Sequence, residues 1–512
     1  MEPTKLVENL ERLYGADQEQ RLRVIADLAN ESFYHKTALA REVQKAEIVT
    51  YQPREIKTVA LYYRNIVNGG AQRVVAQLSN LFAAAQKKGQ TQYRVVLVTD
   101  EEPSPDDYQL LPQVERVVIP RRERFPKEDF IVRAQAWADL LERYQVDVVL
   151  HSMWMDPVMF WDMLCIKSHP SRPACVVHTH NACGVLYRLS GTEVEERFFS
   201  FRIADGVVTL SRCDQTYWQA VNPRTYCILN PCHMDPAGAH RGVHGKNVLW
   251  LGRIAQEKQP LEMVHIMAHV VEQVPDAVCH MVGSGEENLM EQLRQAIQAA
   301  GLEHHVVLEG FHTDVERFYE DASVMVLTSE FEGFALTLYE SAAYGLPTVT
   351  YDLPWLEYYS IMKGWASVPQ LDAQGAADEI VRLLKDLEYW QTQSDGLYRS
   401  FEGYHQRDVL GQWQQLLEDL EQGSAPEGVA QDGEYTILLH QIGNMHTLGI
   451  QNQRERLEGK LNQTYAEKSE LNRKLQKTYG EKAERGIEIQ RQRQEIQQLR
   501  QELEDLRHPG LK

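Results

Sequence analysis

Ser329-Glu330-Phe331-Glu332-Gly333-Phe334-Ala335-Leu336-Thr337-Leu338-Tyr339-Glu340-Ser341, closed by Gly345-Leu346-Pro347, is the stretch that decides the fold. The apolar run Val324-Met325-Val326-Leu327-Thr328 before it reads as a buried strand. Gly333 breaks the run, and Leu336 to Tyr344 reads as a helix. A strand that turns into a helix at this point offers backbone N–H groups at the helix start, where an anion is stabilised. Glu332 stands at the strand end and Glu340 about one turn inside the helix, so two carboxylates flank the turn.

Taken alone, two glutamates are ordinarily solvated surface charges. The surrounding pattern outweighs that reading. From Glu332 through Gly333 and Phe334 to Glu340 and Gly345-Leu346-Pro347, the segment resembles the paired-glutamate motif of nucleotide-sugar glycosyltransferases, in particular the retaining glycosyltransferase family four. The resemblance covers roughly residues 57 to 420 and implies a GT-B architecture, two doubly wound parallel-sheet domains facing a cleft. It implies that Glu332 hydrogen-bonds the donor sugar and Glu340 the ribose. Gly333 and the amides of Phe334, Ala335 and Leu336 then lie against the diphosphate.

The flanking sequence has the alternation such a fold requires. Strands read at Thr58–Tyr63, Tyr93–Thr99, Val114–Ile119, Val146–Leu150, Ala174–His178 and Gly206–Leu210, with helices at Gln72–Lys88 and Ala134–Tyr144 between them. After Asn230-Pro231 the pattern restarts with strands at Asn247–Leu251, Ala277–Val282, Val306–Leu308, Val324–Leu327 and Thr348–Tyr351, and a helix near Pro260–Val274. The expected organisation is a helical N-terminal extension (1–55), an acceptor-side domain (56–230) and a donor domain (231–420). A linker (421–445) and a coiled coil (446–507) follow.

Five further loops follow strands. Gly69-Gly70-Ala71-Gln72-Arg73 resembles the family's first-domain loop, which places Gly70 near the donor phosphates. Arg73 itself reads as a structural or surface residue. In Gly252-Arg253-Ile254-Ala255-Gln256-Glu257-Lys258, Arg253 offers a fork of donors and Lys258 a compact charge. The resemblance makes them the pair that holds the diphosphate. Gly283-Ser284-Gly285-Glu286 and Gly310-Phe311-His312 match the loops beside the nucleotide, with Gly283, Gly310 and Phe311 as donor-binding positions. His178-Thr179-His180-Asn181 closes a first-domain strand, and the resemblance puts a histidine here near the reacting sugar. His180 lies further into the loop and is the preferred catalytic residue, with His151 in reserve.

Composition limits the alternatives. A formal net charge of -20 argues against nonspecific nucleic-acid binding. Met1-Glu2-Pro3-Thr4-Lys5 lacks the layout of a signal peptide, and no apolar run is long enough to cross a bilayer. Seven cysteines without metal-ligand spacing read as reduced thiols in a cytoplasm. The basic stretch Arg121–Lys127 is the candidate for a peripheral contact with an anionic membrane. The chain has no Asp-x-Asp and no Walker loop, so no metal and no cofactor are expected. The partners expected are a nucleotide-sugar donor and a glycan, lipid-linked or protein acceptor, in bacterial surface glycan synthesis by the family's habit.

Beyond the linker a heptad register runs from Leu457 to Leu506. One seam position holds Leu457, Thr464, Leu471, Thr478, Arg485, Gln492, Leu499 and Leu506. The other holds Leu461, Lys468, Leu475, Lys482, Ile489, Ile496 and Leu503. The expectation is a homo-oligomer or a helical partner, weakened by a polar middle. From Gln441 on, 14 basic residues face 11 acidic ones, which leaves the rest of the chain at -23. The rival reading is a catalytically silent glycosyltransferase-like scaffold that assembles a complex through this coil. A nucleotide-sugar 2-epimerase or a sucrose- or trehalose-type synthase is the minor enzyme alternative.

Overall fold

The computed structural model describes residues 51–507 apart from 68, 86–91, 122–126, 157, 189–196, 199, 232–233, 235–241, 313, 427 and 429–431. The expected N-terminal extension up to residue 50, Cys232 and most of the basic stretch 121–127 lie outside the described residues.

Among the described residues the first half runs β1 (Thr58–Tyr62), α1 (Gly70–Ala84), β2 (Arg94–Thr99), β3 (Val114–Val118), α2 (Lys127–Tyr144), β4 (Val148–His151), α3 (Val158–Ser168), β5 (Ala174–His178), β6 (Gly206–Thr209), α4 (Arg212–Gln219) and β7 (Thr225–Cys227). These strands form one parallel sheet in the order β3-β2-β1-β4-β5-β6-β7. The pattern then restarts with β8 (Asn247–Leu251), α5 (Glu262–Gln273), β9 (Val278–Val282), α6 (Glu287–Ala299), β10 (Val306–Gly310), α7 (Glu316–Asp321), β11 (Val324–Leu327), α8 (Leu336–Ala343), β12 (Thr348–Tyr351), α9 (Tyr358–Ile361) and β13 (Trp365–Val368). The second sheet is also parallel, in the order β10-β9-β8-β11-β12-β13. Three helices follow: α10 (Ala373–Lys385), α11 (Leu387–His405) and α12 (Val409–Gln422), before the long α13 (Asp432–Arg507).

The expected pair of doubly wound parallel sheets is therefore present. Every residue of β1, β4, β5 and β11 is buried, as befits strands covered by helices on both faces. Strand order reverses between β1 and β4 in the first sheet and between β8 and β11 in the second. Ligands of such sheets sit outside the strand C-termini at these reversals.

The C-terminal boundary departs from the sequence reading. The donor domain was expected to run to 420, yet α12 closes the first domain. Val409, Trp413, Leu416, Leu417 and Leu420 join the core built by β1, α1 and β2. The Trp413 ring meets Phe82 at 6.1 Å and His178 at 5.2 Å. Asp408 caps α12 through the Gly411 N–H at 2.7 Å, and Gly423, at φ 69°, ends it.

The linker expected over 421–445 is also shorter than read. α13 begins at Asp432, and Leu438 and Gln441 are buried. The Cys183 and Cys213 thiols donate to Gln441 Oε1 at 3.4 and 3.3 Å, which fixes the start of α13 to the first domain. Those contacts are invisible to a reading by composition. From Met445 the chain forms a separate compact unit. No helix of the described residues is long and apolar enough to cross a membrane.

Trp413→Ala should lower stability by about 3–5 kcal/mol, the cost of emptying a fully packed aromatic site. Urea unfolding reads it, and a loss below about 1 kcal/mol would show that α12 does not hold the first core.

Candidate active site

The loops after β8 and β11 meet because those two strands are neighbours at the strand-order reversal. Backbone and side chain lock them together. Thr328 Oγ1 accepts from Trp250 Nε1 at 2.9 Å and donates to the Lys258 carbonyl at 2.7 Å. The Glu330 N–H donates to the Glu257 carbonyl at 2.9 Å. This brings Lys258 Nζ onto Glu332 Oε1 in a direct ion pair, which Ser329 Oγ joins at 2.7 Å. Both side chains are largely buried, 23% and 10% exposed, so bulk water screens the pair only in part. Two of the expected catalytic residues, 74 positions apart, are thus in contact.

The glycines of the neighbouring loops are set by close backbone approach. A Cβ on Gly283 would lie 1.9 Å from the Gly252 carbonyl oxygen, and one on Gly285 would lie 1.8 Å from that of Ile254. Any side chain there would push the β8 and β9 loops apart. Gly333 plays the same part across the cleft, since a Cβ on it would meet the His180 carbonyl oxygen at 2.2 Å. A Cβ on Gly70 would sit 3.1 Å from Leu336. The first-domain loops that carry Gly70 and His180 therefore lie directly on the β11–α8 turn.

Ala335 opens α8 at φ 54° and ψ 70°, a left-handed conformation that costs an alanine about 1 kcal/mol or more. Tyr358 Oη donates to its carbonyl at 3.3 Å, and Trp355 Nε1 donates to the Glu332 carbonyl at 3.0 Å. Phe334 packs on Tyr358 and Tyr339. The turn between the two glutamates is held by its carbonyls and aromatic rings.

Glu340 is buried, and its partners were not legible in the sequence. Oε1 accepts from Arg73 Nη1 at 2.5 Å and Oε2 from Tyr319 Oη at 2.6 Å. Arg73, read as a structural or surface residue, thus joins the first domain to the second-domain carboxylate. Burial is the largest single effect and works against its charge, but Glu340, Tyr108 and Tyr319 together overcome it and raise the Arg73 pKa. Burial first, and then Glu340, holds the Tyr319 hydroxyl well above its ordinary pKa, so it stays a donor. A cavity of about 330 Å³ opens beside this group, lined by Arg73, Tyr108, Met234, Asp314, Tyr319 and Glu340.

Other expected residues are placed differently. Arg253 is 71% exposed and pairs at 2.6 Å with Glu257 on its own turn rather than with the Glu332 group. Gly310 has φ +77°, and Phe311 is 51% exposed at the end of β10. His180 packs against His178 with ring centroids 4.3 Å apart and the planes tilted by 55°, and lies edge-on to Tyr63 at 6.0 Å. Its Nε2 is buried without a hydrogen-bond partner. Burial drives the His180 pKa down to about 3, and burial together with His180 pushes His178 well below the ordinary value. Both rings are neutral at pH 7. His151, the reserve, is bound at 3.2 Å to Asp162, which Arg133 holds in a buried ion pair at 2.7 Å. That locked network gives His151 a structural part.

Residues 245–386 match the family model described as Glycosyl transferases group 1. The match covers most of the second domain and ends before α12. The chain is 26% identical over 182 residues to the poly(glycerol-phosphate) alpha-glucosyltransferase of Bacillus subtilis, a match covering 35% of this chain and 27% of that enzyme. It is 25% identical over 328 residues to the mannosylfructose-phosphate synthase of Agrobacterium fabrum, covering 55% of this chain and 72% of the other. The Anabaena HepE structure in complex with UDP and glucose superposes with a TM-score of 0.57 at 17% identity, covering 72% of this chain and 99% of that one. That likeness shows a shared two-domain fold. Lys258, Glu332 and Glu340 lie within the matched residues, and Arg73 reaches Glu340 from the first domain.

Acid should weaken the fold through the histidine pair. The unfolded chain binds protons near pH 6.5 and the folded rings refuse them until about pH 3 for His180, so the unfolded state holds more protons between those values. Stability is full above pH 6.5 and falls on acidification, by about 1–2 kcal/mol at pH 5 from His180. His180→Asn should flatten the decline in urea midpoint between pH 7.5 and 5. An unchanged slope would overturn this assignment.

Proposed function

We propose that the chain transfers a sugar from a nucleotide-diphosphate donor to a glycan, lipid-linked or protein acceptor, with retained anomeric configuration and without a metal. The observation that carries this reading is the Lys258–Glu332 pair at the strand-order reversal of a group 1 glycosyltransferase domain. Glu332 accepts hydrogen bonds from the donor sugar and Glu340 from the ribose. An ionised carboxylate has about four acceptor positions, so Glu340 can keep Arg73 and Tyr319 and still receive a diol. The cavity beside it takes the nucleoside end, and Gly283, Gly310 and Phe311 border the base.

Lys258 and Arg253 balance the diphosphate, with Gly70, Gly333 and the turn Phe334–Leu336 against its oxygens. Arg253, exposed and tethered only to its own turn, has the freedom to swing onto the phosphate. The bond from the anomeric carbon to the phosphate oxygen breaks. The acceptor oxygen attacks from the same face, and its proton passes to the departing phosphate. Neutral His180 borders the sugar, where an uncharged ring can accept a hydroxyl hydrogen bond without repelling Lys258.

The acceptor side is the first domain, and bacterial surface glycan synthesis is the setting we assign. Five of the six described cysteines are buried free thiols, which supports a reducing cytoplasm. A contact with the inner face of the membrane and self-association or a helical partner through 457–506 complete the proposal.

Two measurements test it. In transfer assays with a panel of nucleotide sugars, Lys258→Ala and Glu332→Ala should each lose roughly 2 kcal/mol or more of transition-state stabilisation, about 30-fold in kcat/KM. Full rates in both variants would refute the site. Calorimetry with UDP, GDP and ADP should find one tight binder, with Glu340→Gln weakening it about tenfold as a charge-assisted bond becomes a neutral one. Binding of none would favour the silent scaffold.

A further inference from the structure

Most of α13 beyond Met445 presents an apolar stripe to solvent. Leu457 is 66% exposed, Leu471 70%, Ile489 and Ile496 each 52%, and Leu499 56%. A helix so wet on one face is stabilised by a partner that covers it. The heptad register identifies that partner. The step from Leu457 to Leu461 is four residues, so Leu457 is a d position and Leu461 an a position. Ile489 and Ile496 then fall at a and Leu499 at d, and the sequence continues the register with Leu503 at a and Leu506 at d. β-branched residues at a with leucine at d favour two parallel strands.

The flanking charges fix orientation and register. Glu488 and Glu495 stand at g, and Arg493 and Arg500 at the e positions five residues later. Glu502 and Arg507 repeat the spacing in the sequence. In a parallel, in-register pair each g residue faces the e residue of the partner's next heptad, so all three sets join Glu to Arg. The upstream g–e sets, Lys460 with Tyr465, Glu467 with Asn472, Lys474 with Tyr479 and Glu481 with Gly486, bring no like charges together. An antiparallel pair centred on the same stretch would set Glu467 against Glu495 and Glu481 against its own copy. That pairing would also set Leu475 against Arg485 and Ile496 against Thr464, whereas the in-register pair stacks Leu475 and Ile496 on their own copies.

We propose that residues 457–506 bind a second copy of this chain as a two-stranded, parallel, in-register coiled coil, gripped most firmly from Ile489 onward. This rests on the self-association reading above and adds strand number, direction and register to it.

The test uses the full chain. Light scattering should give two protomers. The double variant Glu488→Arg/Glu495→Arg should fall to one protomer, as should Arg493→Glu/Arg500→Glu, and an equimolar mixture of the two should restore two. Leu499→Cys, treated with a short bismaleimide, should form a cross-linked homodimer that wild type does not. Gln492→Cys should do the same without removing an apolar seam residue. One protomer for the wild-type chain would defeat self-association itself. Two protomers without cross-linking at 492 and 499, or cross-linking of Thr464→Cys to Leu499→Cys in a mixture, would overturn the parallel register alone. Three or more protomers would overturn the two-stranded assembly.

Discussion

Parallel pairing of β8 with β11 brings together loops that lie more than 70 residues apart, and the geometry of the site follows from it. Because the strand order reverses there, a crevice of the kind that holds ligands in such sheets lies above the strand ends. Thr328 ties the floor of the crevice to both loops. Lys258 and Glu332 then have no distance left between them, and their charges neutralise each other in a half-dry place. The first domain reaches the same crevice through Gly333, whose missing side chain admits the His180 carbonyl.

Much of this was legible in the sequence, and the reasons differ by element. Val324–Leu327 and Asn247–Leu251 are short apolar runs ended by glycine-bearing turns, and both appear at the expected bounds. Their identity depends on local pattern, which a sequence carries. β7 and β13 were not read: three residues at Thr225–Cys227 and four at Trp365–Val368 are too short and too mixed to show a period. The helical face of α12 is equally plain in sequence, but a helix does not state which sheet it covers. Its placement on the first core rests on Trp413 finding Phe82 and His178. Chain order pointed to the other domain.

The site divides along the same line. Glu332, Glu340 and Lys258 stand in recognisable turns and were named from them. Arg73 and Tyr319 complete Glu340 from 267 and 21 residues away, on helices whose spacing carries no mark of the contact. The only hint was the position of Arg73 in the first turn after Gly69-Gly70, where a long side chain points toward whatever faces that loop. Gln441 is a similar case. Nothing in its neighbourhood marks it as the residue that receives two thiol hydrogen bonds, because its partners are set by tertiary packing.

Charge balance in the crevice links its ion pairs to the chemistry proposed for it. The protein is strongly acidic, at a formal -20, yet its candidate diphosphate site needs positive charge. Each relevant cation stands beside a carboxylate: Lys258 on Glu332, Arg73 on Glu340 and Arg253 on Glu257. Such pairs spare the largely buried cations the cost of isolation in a low dielectric. They also suit an exchange of partners. A nucleotide sugar carries acceptors on its phosphates and donors on its sugar and ribose hydroxyls. Phosphate oxygens can draw Lys258 while a sugar hydroxyl replaces it at Glu332, so neither member of that pair is left unpaired. A neutral His180 fits the same balance, since a third buried cation there would have no carboxylate of its own. The paired glutamates thus serve as counter-ions to Lys258 and Arg73 and, in the proposed reaction, as hydrogen-bond acceptors for the donor.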